Sequence, residues 1–329
     1  MDNYRVLKSD AVQKPLVSII CITFNHEEYL RECLDGILMQ DVNFQYEIVV
    51  HDDASTDRTR DILMEYREKY ADKFKFIFQQ ENQYSKGKHI LIDCILPHLE
   101  GKYVAICEGD DFWTDNKKLQ RQVDFLETHA DYSACVHNSI KWNLLDGKKE
   151  IMYSCEKDYD IPFEAIAQAG GACYQTASLI CRNKCFEHLP KFFSMVTTYF
   201  DYTLAMHLAL EGKVRFLNDV MSTYRFFSNG SLAEKSIYEL KGVRAKKYQA
   251  TLDMLKEVDH YSKYAYHTAL AGVMEDCEYI IAECTDDYRT LSKVPHKAKF
   301  KSNGIQYRLK IFIKYYFKGI YQIYKKIRY

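Results

Sequence analysis

The sequence is poor in the features that mark several classes of protein. It has 5 prolines and 13 glycines in 329 residues, too few for a collagenous or low-complexity chain. Its longest apolar stretch, residues 16–22, is interrupted by a serine and is far shorter than the roughly 20 residues that cross a bilayer. The first ten residues, MDNYRVLKSD, lack the apolar core of a signal peptide, so we expect a cytoplasmic protein.

The 11 cysteines include no C-x2-C pair. Because their number is odd and no secretory signal precedes them, we expect reduced thiols rather than disulfides. Cys181, Cys185 and His188 have a ligand-like spacing, but no second pair accompanies them, so the spacing does not predict a zinc site. The net charge of −1 argues against nucleic acid as a partner.

Charge is distributed unevenly along the chain. Residues 288–329 carry 12 Lys/Arg and no Asp/Glu, whereas the preceding 287 residues carry 33 Lys/Arg against 46 Asp/Glu, a net charge of −13. This asymmetry indicates a molecule of two parts. From about residue 231 to 284 the pattern turns helical and polar with few breakers, so we place the parts at 1–230 and 231–329, the second of them helical. In 307–329 the basic residues alternate with Tyr, Phe and Ile. That pattern fits either an anchor on the inner face of the plasma membrane or a helix packed on the protein with a solvated basic face.

The first part alternates strand and helix patterns. Buried-strand runs occupy 16–22, 46–50, 75–78 and 103–107, and helical stripes of apolar residues lie at 30–38, 62–66 and 119–126. Such alternation predicts right-handed βαβ units and a mainly parallel sheet flanked by helices. Ligands of such sheets bind at the carboxyl ends of the strands.

Polar clusters follow three of these strands: Thr23-Phe24-Asn25, 51–55 (HDDAS) and 108–111 (EGDD). Acids that converge in this way repel one another unless a cation lies between them. Mg²⁺ or Mn²⁺ would relieve the repulsion and would prefer oxygen ligands together with a substrate phosphate. The alternative is that the acids only cap the next helix or open a loop. No G-x-G-x-x-G follows the first strand and no G-x-x-x-x-G-K-[ST] occurs, which excludes the usual glycine-rich phosphate cradles.

Three segments in this order resemble a family 2 glycosyltransferase with the GT-A fold: PLVSIICITFNHEEYLRECLDGILMQ, YEIVVHDDASTDRTRDIL and GKYVAICEGDDFWTDNKKLQRQVDFL. The similarity covers about residues 15–231. It implies a Rossmann-like GT-A domain with a helical C-terminal extension. It also implies an inverting, metal-dependent transfer from a nucleotide-diphosphate sugar, by default a UDP-sugar. The acceptor would be a glycan or a lipid-linked saccharide in surface-polysaccharide synthesis.

The resemblance assigns donor-binding roles by position. Thr23, Phe24 and Asn25 would line the pocket for the base and ribose, and Asp53 would meet the nucleobase. Asp110 and Asp111 occupy the DXD-like motif. Asp111 would ligate the Mn²⁺ or Mg²⁺ on the donor diphosphate, and Asp110 would reach the ribose or the metal shell. Glu108 stands where many relatives have aspartate, and its part in the site is left open.

The resemblance also places a general base, which inverting transfer requires. Asp201, in FDYTLAMHLALEGKVRFLNDVMSTYR, takes that position; it could also act as a plain N-cap, and the two roles are compatible. Arg225 would contact phosphate or form a structural salt bridge. Residues 175–180 resemble the family's acceptor-side strand, which makes Thr176 and Ser178 candidates for substrate contacts. His51 and His207 lie near these motifs, where we expect structural roles.

Two other functions stay open from the sequence. One is a non-catalytic module that binds a nucleotide-sugar or glycan and is tethered to a membrane by its tail. The other is a sugar nucleotidyltransferase, which would ordinarily have a glycine-rich basic loop where this chain has Thr23-Phe24-Asn25-His26. A binder would show donor affinity without metal-dependent turnover.

Overall fold

The structure, a computed structural model, describes residues 4–7, 14–196, 200–228 and 240–317. Its internal packing divides the chain into two units, Met1–Lys235 and Ser236–Tyr329. The sequence placed a boundary after residue 230, which lies outside the described residues. All 11 cysteines are free thiols.

The first unit contains the strands and five of the helices described. The strands are β1 (Tyr4–Leu7), β2 (Val17–Thr23), β3 (Tyr46–Asp52), β4 (Phe74–Gln79), β5 (Tyr103–Ile106), β6 (Phe112–Trp113), β7 (Tyr132–Asn143), β8 (Lys149–Ile151), β9 (Tyr159–Ile161), β10 (Ile180–Arg182) and β11 (Lys213–Phe226). The helices are α1 (Leu30–Leu38), α2 (Thr59–Lys69), α3 (Lys118–Thr128), α4 (Phe163–Ala169) and α5 (Phe200–Glu211). One-turn helices lie at Tyr84–Lys86, Ile90–Ile95, Leu96–His98, Thr176–Ser178, Asn183–Phe186 and Lys191–Ser194.

These strands form one mixed sheet in the order β1-β4-β3-β2-β5-β10-β7-β11-β6, with β8 on β7 and β9 on β11. The four predicted strands, β4-β3-β2-β5, are parallel neighbours. Beyond them β10 runs antiparallel to both β5 and β7, and β11 returns parallel to β7. The prediction of an α/β sheet flanked by helices is confirmed, although parallel pairing is confined to the central four strands and the β7–β11 pair.

Apolar periodicity explains why the predicted elements form. β2 and β3 are buried along nearly their whole length because helices cover both faces of a parallel sheet. The predicted stripe of α1 is buried at Leu30, Leu34 and Ile37. Gly36 in the same helix lets it approach β6 closely, because an added Cβ would lie 2.7 Å from the carbonyl oxygen of Trp113.

The second unit is helical, with α6 (Lys241–Tyr261), α7 (His267–Cys284), α8 (Tyr288–Leu291), α9 (Lys297–Ser302) and α10 (Ile305–Tyr316). Tyr279, Leu291, Phe300 and Ile311 form a buried cluster that holds α7 to the three short helices that follow it. Within the described ranges, no helix is long and apolar enough to span a bilayer. Of the basic, aromatic stretch 307–329, residues beyond 317 lie outside the described part.

Candidate active site

The three polar clusters converge at the carboxyl ends of β2, β3 and β5. In the β2–β3 register Thr23 lies opposite Asp52, and the N–H of Asp53 donates to the carbonyl oxygen of Thr23 at 3.0 Å. The N–H of Gly109, just after β5, donates to the carbonyl oxygen of Ile22 at 2.9 Å. Backbone pairing therefore brings together residues that are far apart in the sequence. Thr23 and Gly109, for example, are 86 positions apart.

The loop after β2 is tied to the loop after β3. Asn25 has a left-handed backbone (φ 57°), its N–H donates to Ser55 Oγ at 2.9 Å, and its Oδ1 accepts from the N–H of Thr56 at 2.8 Å. Phe24, which lies between Thr23 and Asn25 in the sequence, is 39% exposed. Thr23 Oγ1 is buried and has no partner among the described residues. The exposed ring of Phe24 is suited to stacking on a nucleoside, whereas the buried Thr23 presents no accessible hydroxyl to one. The donor contacts of Thr23, Phe24 and Asn25 stay predictions.

The carboxylate of Asp53 accepts hydrogen bonds from the backbone. Its two carboxylate oxygens accept the N–H groups of Gln83 (2.7 Å) and Tyr84 (3.0 Å), so it orders the loop after β4. Burial raises the pKa of Asp53, and these two hydrogen bonds only partly offset that rise. The carboxylate thus fixes the start of the loop after β4, while its contact with a nucleobase stays a prediction.

Gly109 is required by close packing inside the acidic loop. An added Cβ would lie 2.8 Å from His26 Nδ1 and 3.0 Å from Thr23 Oγ1. Like the threonine hydroxyl, His26 Nδ1 is buried with no partner in the described structure. His26 was not among the predicted site residues, because only the fold brings it against Gly109.

Asp111 is the most deeply held acid of the loop. It is 1% exposed, its Oδ1 accepts the N–H of Arg225 at 2.8 Å, and its Oδ2 accepts from Gln175 Nε2 at 2.6 Å. Asp110 is half-buried, and its Oδ2 accepts from Ser228 Oγ at 2.7 Å. The predicted order of roles, with Asp111 as the direct ligand, is untested. As placed, Asp110 is the more accessible carboxylate.

Like charges accumulate around this loop. Burial, and then the charges of Asp110 and Asp201, raise the pKa of Glu108 to about 8. Burial, and then the charges of Asp110 and Glu108, also raise the pKa of Asp111. A divalent cation would relieve this repulsion. In the described residues no group of three or more His, Cys, Asp or Glu side chains is arranged to hold a metal. A cation that takes one or two of these carboxylates and completes its shell with substrate phosphate stays a prediction.

Asp201 lies in the first turn of α5, within electrostatic range of Glu108. Burial raises its pKa to about 6, although hydrogen bonds from the backbone N–H of Tyr202 (to Oδ1, 2.9 Å) and from its own N–H lower it in part. Its other oxygen, Oδ2, rests against Gly171, where an added Cβ would lie 2.9 Å away. Gly171 follows α4 and has φ 97°, a backbone conformation that favours glycine.

Arg225 binds the backbone of the acidic loop 108–111. Its guanidinium donates to the carbonyl oxygen of Asp110 at 2.6 Å, forms an ion pair with Glu32 of α1, and lies 4.4 Å from the ring centroid of Phe112. The side chain is 3% exposed. The structure thus shows the salt bridge that the sequence offered as one alternative for Arg225. Its phosphate contact stays a prediction.

The predicted acceptor-side strand at 175–180 is wrong in its bounds. Thr176–Ser178 is a one-turn helix, because the N–H and hydroxyl of Ser178 both donate to the carbonyl oxygen of Gln175, and β10 begins only at Ile180. Ser178 is fully buried, so a substrate has no access to it as placed, whereas Thr176 is half-buried.

The two histidines have structural surroundings. His51 Nε2 pairs with Gln79 (3.1 Å), and burial lowers its pKa to about 4. His207, which belongs to α5, forms a hydrogen bond through Nε2 with the carbonyl oxygen of Cys185 (2.6 Å).

The comparisons with known proteins agree with this arrangement. The family model "Glycosyl transferase family 2" matches residues 18–185, slightly more than half of the chain, and the chain belongs to this family. An uncharacterized Mycobacterium tuberculosis protein is 33% identical over 218 residues, which cover 65% of this chain and 60% of that protein. This chain thus spans about 60% of the length of that relative. The Escherichia coli UDP-Glc:alpha-D-GlcNAc-diphosphoundecaprenol beta-1,3-glucosyltransferase WfaP is 24% identical over 276 residues, or 80% of this chain and 96% of WfaP.

Two solved structures share the fold. Staphylococcus aureus TarS 1–349, in complex with UDP-GlcNAc, superimposes with a TM-score of 0.58 at 18% identity and covers 91% of this chain and 80% of that one. The mannosyltransferase PcManGT of Pyrobaculum calidifontis, in complex with GDP-Man and Mn²⁺, has a TM-score of 0.53 at 17% identity and covers 93% and 87%. The predicted GT-A fold is confirmed.

Proposed function

We propose that this chain transfers a sugar from a nucleoside-diphosphate donor, by default a UDP-sugar, to a hydroxyl of a glycan or lipid-linked saccharide, with inversion. The observation that carries the proposal is that Asp201, a half-buried carboxylate of raised pKa at the start of α5, lies near enough to the acidic loop 108–111 for its charge to raise the pKa of Glu108. Carboxylates whose pKa values are raised by burial and by neighbouring like charges cluster at catalytic sites, which favours an enzyme over a structural module.

The donor would enter the pocket between the loops after β2 and β3. Phe24 would contact the nucleoside, and Thr23 would support the pocket from its buried position at the end of β2. Asn25 and Asp53 would hold the pocket walls through their backbone partners. Arg225 would act on the diphosphate mainly by fixing the acidic loop.

The acidic loop would hold Mn²⁺ or Mg²⁺ through Asp110 and Asp111, and the cation would neutralise negative charge on the departing nucleoside diphosphate. Asp110 is half-buried and thus more accessible than Asp111, which makes it the first candidate for direct contact, while Asp111 is positioned by Gln175 and Arg225. PcManGT, which shares the fold, binds GDP-Man together with Mn²⁺, and this supports a divalent cation at the donor without bearing on which residues hold it.

Asp201 would act as the general base. Because Oδ1 already accepts a backbone N–H, Oδ2 is the oxygen that would take the proton of the acceptor hydroxyl. The acceptor oxygen then forms a bond to the anomeric carbon as the bond from that carbon to the phosphate oxygen breaks. An aspartate with a pKa near 6 is ionised at neutral pH and is a stronger base than an ordinary aspartate. Thr176 is the remaining acceptor-side candidate.

The remaining parts of the proposal concern context. Residues 1–230 would form the nucleotide-sugar-binding and catalytic domain, and 231–329 a helical region whose basic, aromatic stretch 307–329 rests on the inner face of the plasma membrane. WfaP, which transfers glucose to alpha-D-GlcNAc-diphosphoundecaprenol, supports a lipid-linked acceptor. Surface-polysaccharide synthesis is the proposed context.

The test is release of nucleoside diphosphate from a panel of UDP-, GDP- and dTDP-sugars, with and without Mn²⁺ and with lipid-linked saccharide acceptors. We expect cation-dependent release from one donor that Asp201→Asn abolishes. Asp41→Asn, which removes an exposed carboxylate paired with Lys117, is the matched control and should keep full activity. Donor binding without turnover across the panel and acceptors would instead indicate a binding module.

A further inference from the structure

A cavity of about 360 Å³ opens in the second unit, outside the proposed active site. Residues of α8, α9 and α10 line it, and most of them precede the stretch 307–329. Lys297, Lys301 and Arg308 supply positive charge, and Ile305, Leu309 and Phe312 supply apolar surface. Positive charge beside exposed apolar surface is the combination that recognises an anionic amphiphile.

The cations of this cavity are not neutralised by the protein. In the described part of the second unit, no acidic side chain forms an ion pair with Lys297, Lys301 or Arg308. Nearby lysines show the contrast, since Lys299 pairs with Asp276 at 2.5 Å and Lys314 pairs with Asp286 at 3.1 Å.

Arg308 gives a second, independent indication of a ligand. Its Nε is buried and lacks a hydrogen-bond partner within the described residues. A buried guanidinium donor without an acceptor costs free energy, and a phosphate oxygen is an acceptor that matches its geometry.

The apolar residues of the cavity are open to solvent. Ile305 is 74% exposed and Leu309 is 56% exposed, although Phe300 beneath them is buried in the core of the unit. Isolated exposed leucines are common on proteins, but here two large aliphatic side chains stand together beside three unpaired cations.

We propose that this cavity binds the phosphate headgroup of an anionic phospholipid at a membrane surface. The phosphate lies among Lys297, Lys301 and Arg308, and Ile305 and Leu309 enter the interface beside it. This inference extends the proposed membrane association of 307–329 to a discrete headgroup site, and it does not depend on the donor site.

The test is sedimentation of the full chain with vesicles of phosphatidylglycerol and phosphatidylcholine (30:70) against pure phosphatidylcholine at physiological salt. The cavity variant replaces three cations (Lys297→Gln, Lys301→Gln, Arg308→Gln). The control variant removes the same charge from the same unit outside the cavity (Lys293→Gln, Lys299→Gln, Lys310→Gln). Each cation at an anionic surface contributes about fivefold in affinity, so the cavity variant should lose about 100-fold. The control variant should lose less than about tenfold.

Three controls complete the design. Ile305→Ser with Leu309→Ser should weaken vesicle binding without lowering the melting temperature, because both side chains are exposed. Inorganic phosphate at 10 mM should not displace the protein from vesicles. Nucleoside-diphosphate release from soluble substrates should be unchanged in the cavity variant, which separates this site from the active site.

Several results would overturn the proposal. Equal losses in the cavity and control variants would mean diffuse attraction, leaving membrane association intact without the site. If the native chain does not bind phosphatidylglycerol vesicles, both the headgroup site and the proposed membrane association are wrong. Displacement by inorganic phosphate would indicate a free-phosphate site, and a dimer that the cavity variant dissociates would assign the surface to a second copy.

Discussion

Replacement of Asp201 by asparagine should stabilise the protein while it abolishes transfer. The structure raises the pKa of this carboxyl from 3.8 to about 6, chiefly by burial. At 1.36 kcal/mol per pKa unit, the ionised carboxylate costs about 3 kcal/mol of folding free energy at neutral pH. Asparagine keeps Oδ1 as acceptor for the N–H of Tyr202 and removes the charge.

The sign of the pH dependence follows from proton binding. The native state holds the Asp201 proton to a higher pH than the unfolded chain does. This group's contribution to the free energy of unfolding therefore falls as pH rises from 3.8 towards about 6, and stays low above that. Asp201→Asn should gain about 2 to 3 kcal/mol at pH 7.5 and almost nothing near pH 4. For a unit of this size the gain corresponds to roughly 5 to 10 °C in melting temperature.

Asp57→Asn provides a control in which the free energy of unfolding should change in the opposite direction. Burial raises the pKa of Asp57, but hydrogen bonds from Thr59 and from the N–H of Glu27 outweigh burial and hold the pKa below its ordinary value. This carboxylate stabilises the fold above the unfolded-state pKa, and that stability is lost as pH falls, so its removal should destabilise the protein at pH 7.5.

The assay is urea unfolding at pH 4, 6 and 7.5, together with nucleoside-diphosphate release. Loss of a general base should lower kcat by about 10²- to 10⁴-fold. An Asp201→Asn protein that is less stable than the native chain at pH 7.5, or that turns over at a near-native rate, would refute the assignment of Asp201 as a general base whose pKa is raised by burial.

Three further predictions concern the neighbours of the site. Gly171→Ala should lower kcat at least about tenfold with donor affinity unchanged, because its Cβ would displace the base oxygen; Gly170→Ala, with φ 63° and no atom within 4 Å of an added Cβ, should lose far less. Asp110→Asn should remove stimulation of donor turnover by Mn²⁺ while the melting temperature stays within about 2 °C, and retained stimulation would shift the ligand role to another carboxylate. Gln175→Leu should cost about 1.5 to 3 kcal/mol in urea unfolding, since it leaves Oδ2 of Asp111 buried without its donor, and an unchanged midpoint would contradict that reading.

The sequence predicted the parts of the fold that depend on local periodicity. The strands near 16–22, 46–50, 75–78 and 103–107 and the stripes of α1, α2 and α3 all appear in the structure. Each carries its own pattern of apolar residues, and consecutive βαβ units pair with their neighbours. The insertion of β10 between β5 and β7 had no such signal, because three residues carry no readable period and their position is decided by long-range pairing.

The same distinction applies to the site. Acids that directly follow a strand could be placed at the sheet edge from sequence alone. The supports of those acids could not, because Gln175 and Arg225 reach Asp111 from 64 and 114 positions away. Gly171 is likewise an ordinary loop glycine in sequence, and only the packing of the α4–β10 connection against α5 gives it a role beside Asp201.

The position of β10 also affects how this protein is made. Strand β5 leaves the ribosome with one edge unpaired, and that edge gains its partner only when Ile180–Arg182 follow. Until then the parallel half of the sheet presents a row of free N–H and C=O groups at Tyr103–Ile106, which are suited to pairing with another nascent chain. While residues 107–179 are being made, this open edge is therefore protected from aggregation only by rapid synthesis or by chaperones.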